Sequence, residues 1–262
     1  MTAAVRHGCV RRAKWLHKRG YVRSDEDCVL AAAETGNVAM MRWLQTPRLI
    51  MTGRAVEAMA VRGDIAMLKA FMPLAMMSVA AIAAAMAGHI SILEWAYGYD
   101  VVARMKIPPE AYTAAAKKGR KDVLSWLLEH KVPAPENIDM AVSHVEPSTL
   151  SWLLDHGFKF TPAAYRWAVN DRSLTALAWL HENGVPITEC EAAVWAAEYG
   201  YFDALRWLRE HGAPWSADVC TKAWNAGFTR EQLAWIRKNA CVCGGRNHFE
   251  NRMLYGQDED DG

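Results

Sequence analysis

The feature that most constrains the fold of this chain is a sequence motif that recurs along nearly its whole length. The stretch "EYGYFDALRWLREHGAPW" at residues 198–215 has earlier counterparts in "KGRKDVLSWLLEHKVP" at 118–133 and "TGNVAMMRWL" at 35–44. Such repetition indicates a chain of supersecondary units that bury their apolar faces only by stacking. The zero positions of nine copies, spaced 25 to 31 residues apart, are Gly8, Gly36, Gly63, Gly88, Gly119, Val145, Arg172, Gly200 and Gly227.

Each copy predicts two helices. Positions five and eight after the zero position are apolar in every copy, once one extra residue in the last copy is allowed for, and this is the spacing of one helical face. Tryptophan occupies position seven in most copies. A second glycine at position twelve, as in Gly157 and Gly212, predicts a helix end, and the histidine before it suits the negative end of a helix. Alanine-rich segments such as "AAAKKG" and "WAAEYG" predict a first helix that ends at the zero position.

The amino-acid sequence of the repeat also resembles that of a known family. The segment "AAEYGYFDALRWLREHG" resembles the core of an ankyrin repeat, and Gly88-His89 reproduces a Gly-His pair of that family. The Trp-Leu pattern, with Pro214 and Trp215 after the second glycine, is similar to divergent ankyrin-like repeats in proteins of large amoeba-infecting DNA viruses. The resemblance covers roughly residues 1–239. It departs from the family because no copy contains Thr-Pro-Leu-His and the period is shorter than the usual 33 residues.

Repeat and resemblance together define the expected fold. We expect an all-α, elongated helical solenoid of the right-handed type, with about nine short ankyrin-like helix-turn-helix repeats over residues 1–240 and a flexible tail with an acidic end over 241–262. The residues missing from the period fall where ankyrin repeats project a β-hairpin finger, so we expect reduced or absent fingers. The repeated tryptophan is expected to fill the space between copies, and Trp207→Ala is expected to cost roughly 3–5 kcal/mol.

Composition and motifs exclude several classes of function. The 30 basic and 29 acidic residues nearly cancel, so bulk charge favours no polyanionic partner. The phosphate-binding, dinucleotide-binding, zinc-protease and serine-hydrolase motifs are absent. We therefore expect that the protein is not an enzyme and binds no cofactor. Cys241, Cys243 and His248 resemble a metal site, but a fourth ligand is not evident, so no metal is expected.

The sequence also bears on location. Six scattered cysteines suit free thiols in a reducing compartment, so we expect a cytoplasmic protein, in the host cytoplasm if the chain is viral. Residues 72–88, "MPLAMMSVAAIAAAMAG", could be mistaken for a membrane span. The stretch is shorter than a bilayer requires and mostly alanine, so a buried helix pair is the better interpretation.

The resemblance implies a non-catalytic scaffold that binds a protein, possibly a host protein, on the concave face lined by the first helices. The residues just before each zero position are the expected contacts, since they vary between copies while positions five, seven and eight scarcely vary. The alternative is that exposed helix-end residues are simply unconstrained. We expect a monomer, and the candidate binding residues are Glu34, Thr35, Arg62, Lys117, Lys118, His144, Asp171, Glu198, Tyr199 and Asn225.

The first copy supports a second hypothesis. Its basic residues could contact nucleic acid or another polyanion. Few aromatic residues accompany them, and the Trp15 side chain is expected to pack within the repeat rather than against a ligand. The favoured interpretation is therefore a polar cap on the first copy, with a protein as the favoured partner. The basic residues are Arg6, Arg11, Arg12, Lys14, Lys18, Arg19 and Arg23.

Overall fold

Apolar residues at helical spacing form helices throughout the described part of the chain. The computed structural model describes residues 2–20, 25–44, 51–98, 107–143 and 145–240. These residues are helical or irregular and include no β-strand, which confirms the all-α class. The predicted tail, Cys241, Cys243, His248, His144 and Arg23 lie outside the described residues.

The helices are numbered in chain order. The first ten are α1 (Thr2–Arg6), α2 (Val10–Lys18), α3 (Asp25–Thr35), α4 (Val38–Leu44), α5 (Gly53–Val61), α6 (Ile65–Phe71), α7 (Met77–Ala87), α8 (Ile90–Tyr97), α9 (Glu110–Lys117) and α10 (Lys121–Glu129). The remainder are α11 (Pro147–Asp155), α12 (Ala164–Asn170), α13 (Leu174–Glu182), α14 (Glu191–Glu198), α15 (Phe202–Glu210), α16 (Ala217–Asn225) and α17 (Arg230–Ala240). Two 3-10 helices, Leu74–Met76 and Asp139–Val142, complete the described elements.

The helices fall into the predicted pairs in eight of the nine copies. Each first helix packs against the second helix of its own copy, beginning with α1 on α2 and ending with α16 on α17. The sixth copy differs, because the 3-10 helix Asp139–Val142 takes the place of its first α-helix. The segment lies between Pro135 and Pro147, and a proline disfavours helical backbone in the residue before it.

The chain divides into two units, which are described separately. The first contains residues 1–141 and 148–158, and within it α1, α3, α5, α7 and α9 each pack against the next. The second contains residues 142–147 and 159–262, where α12, α14 and α16 pack in series, as do α13, α15 and α17. Buried alanines such as Ala60, Ala84 and Ala196 lie on the first helices and allow these close approaches.

The apolar stripe of the second helices forms much of the core. Leu68, Leu124, Leu177 and Leu205 at position five are fully buried. Leu127, Leu153, Leu180 and Leu208 at position eight are fully buried as well. Burying a leucine side chain contributes about 1.5–3 kcal/mol relative to leaving it exposed. The periodic positions identified in the sequence are therefore the ones that hold each pair together.

Most of the described helix ends fold back through left-handed residues, as the two glycine positions predict. At Gly212 (φ 86°) the amide donates to the Arg209 carbonyl and the Ala213 amide donates to the Leu208 carbonyl, which is the Schellman arrangement. The same arrangement persists where glycine is absent, at Lys131 (φ 52°) and at Arg172 (φ 54°). The turn geometry therefore belongs to the repeat rather than to the glycine alone.

The histidines before the second glycine act at the helix ends. The Nδ1 atom of His211 donates to the Trp207 carbonyl at 2.8 Å, and its ring stacks on the Trp207 indole with centroids 3.8 Å apart. His130 and His156 do the same on the tryptophans four residues before them. Asn183 replaces histidine in the seventh copy and donates to the Trp179 carbonyl at 2.8 Å. The predicted helix-end role of these histidines is confirmed.

The repeated tryptophans are less uniformly buried than the sequence predicts. Trp126 and Trp179 are buried, at 8% and 7% exposure, and Trp207 is half-buried. Trp15 is 50% exposed, so the expectation that its side chain is packed within the repeat is wrong. The difference arises from the neighbouring copy: Tyr97 packs edge-on against Trp126, and His181 packs the same way against Trp207. Among the described residues no aromatic ring packs on Trp15 in this way.

Two buried tyrosines tie the first helix of a copy to the loop after its second helix. The Tyr112 hydroxyl donates to the Val132 carbonyl at 2.9 Å, and the Tyr165 hydroxyl donates to the Val185 carbonyl at the same distance. Both side chains are almost fully buried, and this burial raises the pKa of Tyr112 and of Tyr165 to about 12. Sequence reasoning missed this pair of hydrogen bonds. The equivalent residue in other copies, such as Val29 or Val56, is apolar and buried, so the repeat position itself indicates only a core residue.

The alanine-rich stretch before Gly88 is a first helix within the first unit. It comprises the 3-10 helix Leu74–Met76 and α7, and six residues of α7 are buried against neighbouring helices. None of the helices in the described ranges is both long and apolar enough to cross a membrane. The buried-helix interpretation of this stretch is therefore the one that agrees with the structure.

Candidate protein-binding surface

The candidate residues named from the sequence lie where the first helices end. Glu34, Thr35, Arg62, Lys118, Glu198, Tyr199 and Asn225 are exposed, whereas Lys117 and Asp171 are partly buried. In the second unit, Asp171, Tyr199 and Asn225 lie at the ends of α12, α14 and α16, which pack side by side. These three residues therefore lie at the ends of successive neighbouring helices.

Some of these residues also hold neighbouring copies together. Arg62 Nη1 donates to the Glu34 carbonyl at 3.0 Å, at the end of the preceding first helix. His89 Nε2 donates to the Val61 carbonyl at 2.8 Å, the equivalent acceptor one copy later, and Asn37 Nδ2 donates to the Gly8 carbonyl at 3.4 Å. Arg62 therefore bridges two copies, a role that its variability in the sequence did not reveal.

The first unit has an open groove between α3 and α5 that brings two of the candidates together. Its volume is about 350 Å³, and Glu34 and Arg62 line it with Arg54, Glu57 and the apolar side chain of Val61. Two carboxylates and two guanidinium groups leave it without a net charge. Its lining therefore combines charged side chains of both signs with apolar side chains.

The second unit carries an aromatic surface on its first helices, which we call the aromatic face and define as Arg166, Trp167, Trp195 and Tyr199. The Arg166 guanidinium lies 5.1 Å from the Trp167 ring centroid and 5.0 Å from that of Trp195. Trp195 in turn lies 5.3 Å from Tyr199. The two tryptophans are partly exposed and Tyr199 is 48% exposed, so the aromatic face is accessible to a partner.

Ion pairs hold the aromatic face in place. Arg166 Nη1 lies 2.9 Å from Glu191 Oε1, which links α12 to α14. Lys222 Nζ lies 2.7 Å from Glu198 Oε1, which links α14 to α16. All four side chains are at least one-third exposed, so each pair contributes little to stability. Their effect is to restrict the side chains that flank the aromatic rings.

Sequence reasoning identified Tyr199 and Glu198 but missed Trp167, Trp195 and Arg166. A signal was present at the fifth residue before each zero position. That position is alanine in the first five copies and Met140 in the sixth, whereas it is Trp167 in the seventh copy, Trp195 in the eighth and Lys222 in the ninth. Tryptophan at a repeat position that is alanine in other copies indicates a surface that only these copies have.

The other candidates are not gathered into a shared cluster. Lys117 and Lys118 lie at the end of α9, and Lys121 Nζ just beyond them approaches Ser148 Oγ at 3.5 Å. The chain matches no protein-family model, and a comparison with curated proteins found no match. The side chains themselves are therefore the basis for the functional proposal.

Proposed function

We propose that the protein is a non-catalytic scaffold that binds a partner protein through the first-helix face of its stacked pairs. The proposal includes the finer architecture expected from the sequence, an elongated solenoid of the right-handed type whose ankyrin-like repeats have reduced or absent β-hairpin fingers. Support comes from Schellman turns after both helices of a pair, from hydrogen bonds that link successive copies, and from the short connection Met72–Pro73 between α6 and the next 3-10 helix.

The observation that carries the proposal is the aromatic face. Tryptophan, tyrosine and arginine are the residues that most often supply binding energy at protein interfaces. Tryptophan and tyrosine do so because they bury a large area for few rotatable bonds. Here they are held by stacking and ion pairs before any partner arrives. Binding would therefore require little additional ordering of these side chains.

The proposed partner is a protein, and the resemblance to repeats of amoeba-infecting viruses points to a host protein. The proposed location is the cytoplasm, that of the host if the chain is viral, with the scaffold acting as a monomer. Four described cysteines, Cys9, Cys28, Cys190 and Cys220, are not in disulfide bonds, which suits that location.

Affinity capture from a lysate tests the proposal. The full-length chain should retain a specific protein that a Trp195→Ala/Tyr199→Ala variant loses. Tyr97→Ala is the matched control, because Tyr97 is an aromatic residue that is 55% exposed but belongs to the first unit and is not part of the aromatic face. Titration of the purified partner should then show at least a tenfold weaker affinity for the double variant, since each aromatic contact at an interface centre contributes about 2 kcal/mol or more. Equal capture by both proteins would remove the aromatic face as the binding site.

A further inference from the structure

Helix α2 presents a strongly basic face with a tryptophan at its centre. Arg11, Lys14, Trp15 and Lys18 follow the i, i+3, i+4, i+7 spacing that places side chains on one side of a helix. Arg12 and Arg19 extend this side, because they lie three residues before and four residues after Trp15. All six side chains are exposed, and we call them the α2 basic face.

The charges of the α2 basic face are not neutralised within the described part of the chain. No ion pair joins a described carboxylate to Arg11, Lys14 or Lys18, and the nearby pair between Arg6 and Glu34 is a loose contact of 4.0 Å. Four cationic groups on one side of this nine-residue helix, with Arg19 directly after it, repel one another in the absence of a partner. A negatively charged ligand would relieve that repulsion.

Trp15 differs from the other tryptophans of the repeat. In later copies a histidine stacks on the indole, whereas here the Arg19 guanidinium lies 4.2 Å from the Trp15 ring centroid. The Trp15 side chain is 50% exposed, against 8% for Trp126. An indole that is fixed by a guanidinium and open to solvent offers a stacking surface for a flat ring.

The opposite side of α2 is already occupied. Ala13 is fully buried, and α2 packs against α1. The apolar side of this amphipathic helix is therefore unavailable for insertion between lipids, which is how such helices bind membranes. A hydrophilic polyanion with exposed flat rings fits the remaining side better than a lipid surface does.

We propose that the α2 basic face binds single-stranded nucleic acid. Trp15 stacks on one base, while Arg11, Lys14 and Lys18 contact the phosphates on either side of it. Arg11 and Lys18 are about 10 Å apart along the helix at 1.5 Å per residue, which is sufficient to contact successive phosphates. A duplex would offer the charges but conceal the base faces that an indole stacks on, so single strands are the preferred ligand.

The experiment measures fluorescence anisotropy of labelled 20-nucleotide oligomers titrated with the full-length protein. The probes are oligo-U, oligo-dT and a duplex of the same length, each at about 50 and 200 mM salt. We expect tighter binding of the single strands and weakening with salt, because displaced counterions oppose binding. Trp15→Ala should weaken single-strand binding roughly 5- to 150-fold, the effect of losing one stacked base, while Trp15→Phe should retain most of the affinity.

Charge reversal tests the phosphate contacts separately. The triple variant R11E/K14E/K18E should reduce the slope of log affinity against log salt by about 2, since each neutralised phosphate of a single strand contributes about 0.7. The matched control is K117E/K118E/K121E, the same charge change on α9 and α10, which should leave the slope unaltered. Circular dichroism melting curves establish that each variant is folded.

Several outcomes would overturn the proposal. Oligomer binding that Trp15→Ala leaves unchanged, or duplex binding as tight as single-strand binding, would show that the indole does not stack on a base. Retention on phosphatidylserine vesicles without binding of any oligomer would assign the α2 basic face to a membrane surface instead. This inference is independent of the proposed protein partner, which involves the other unit.

Discussion

At the scale of single residues, the two buried tyrosines show how much depends on one hydroxyl group. Tyr165→Phe leaves the ring in place but deprives the Val185 carbonyl of its donor, so we expect a loss of about 1–3 kcal/mol in the free energy of unfolding. Urea titration followed by circular dichroism measures the change. Tyr97→Phe provides the control, because Tyr97 is 55% exposed and its loss of a hydroxyl should fall within about 0.5 kcal/mol.

The same tyrosines predict a dependence on alkaline pH. Their pKa is raised from 10.0 to about 12 on folding, so between these values the folded chain holds protons that the unfolded chain has lost. The stability that they contribute is complete below pH 10 and is lost as pH rises towards 12. Urea titrations at pH 9, 10 and 11 should show a smaller decline for the Tyr112→Phe/Tyr165→Phe variant than for the wild type. An identical decline would contradict the assignment.

The position of a tryptophan in the stack should decide its contribution to stability. Trp126→Ala removes a buried indole that contacts Tyr97 and stacks on His130, and we expect it to cost about 3–5 kcal/mol. Trp15→Ala should cost less than about 1 kcal/mol, because half of that side chain is already in water. The half-buried Trp207 should lie between them, below the value that the sequence predicts. Similar losses for Trp15 and Trp126 in thermal unfolding would contradict this ordering.

At the scale of helices, the residue before the second glycine closes the second helix by hydrogen bonding. His211→Asn should be nearly neutral, since Asn183 already makes the equivalent bond in the seventh copy. His211→Ala should lower the free energy of unfolding by about 1 kcal/mol, the net contribution of one hydrogen bond. Chemical denaturation of the two variants side by side distinguishes them, and equal stabilities would assign the effect to ring stacking alone.

Lys131 occupies the position that glycine holds in other copies and adopts the same left-handed backbone, with φ 52°. A side chain costs about 1 kcal/mol in that conformation, so Lys131→Gly should raise the free energy of unfolding by about that amount. Lys131→Ala is the matched control: it removes the charge but retains a β-carbon, and it should leave stability nearly unaltered. A stabilised alanine variant would attribute the gain to charge rather than to backbone conformation.

The helices were predictable from the sequence to the extent that their determinants are local. Apolar spacing and the two glycine positions predict eight of the nine pairs, because both act within about ten residues of chain. The sixth copy escaped prediction, since its first helix is only the short 3-10 helix Asp139–Val142. The exposure of Trp15 and the cluster at Trp195 also escaped, because each depends on what the adjacent copy places against the ring.

At the scale of the whole molecule, the two proposed surfaces lie on different units and should be separable by mutation. The Trp195→Ala/Tyr199→Ala variant should lose partner capture and retain oligonucleotide affinity, while R11E/K14E/K18E should show the reverse. Both assays on both variants form the test. Loss of both activities in either variant would indicate a single shared site or a folding defect, and melting curves separate those two causes.

The bonds between copies have a consequence for how such a gene can change. Asn37, Arg62 and His89 all reach a main-chain oxygen of the preceding copy, and every amino acid supplies that oxygen. A copy can thus vary its outward side chains without a compensating substitution next door. Recombination that duplicates or deletes one module leaves each junction with an acceptor still in place, so the length of the array and the identity of its surface can evolve independently.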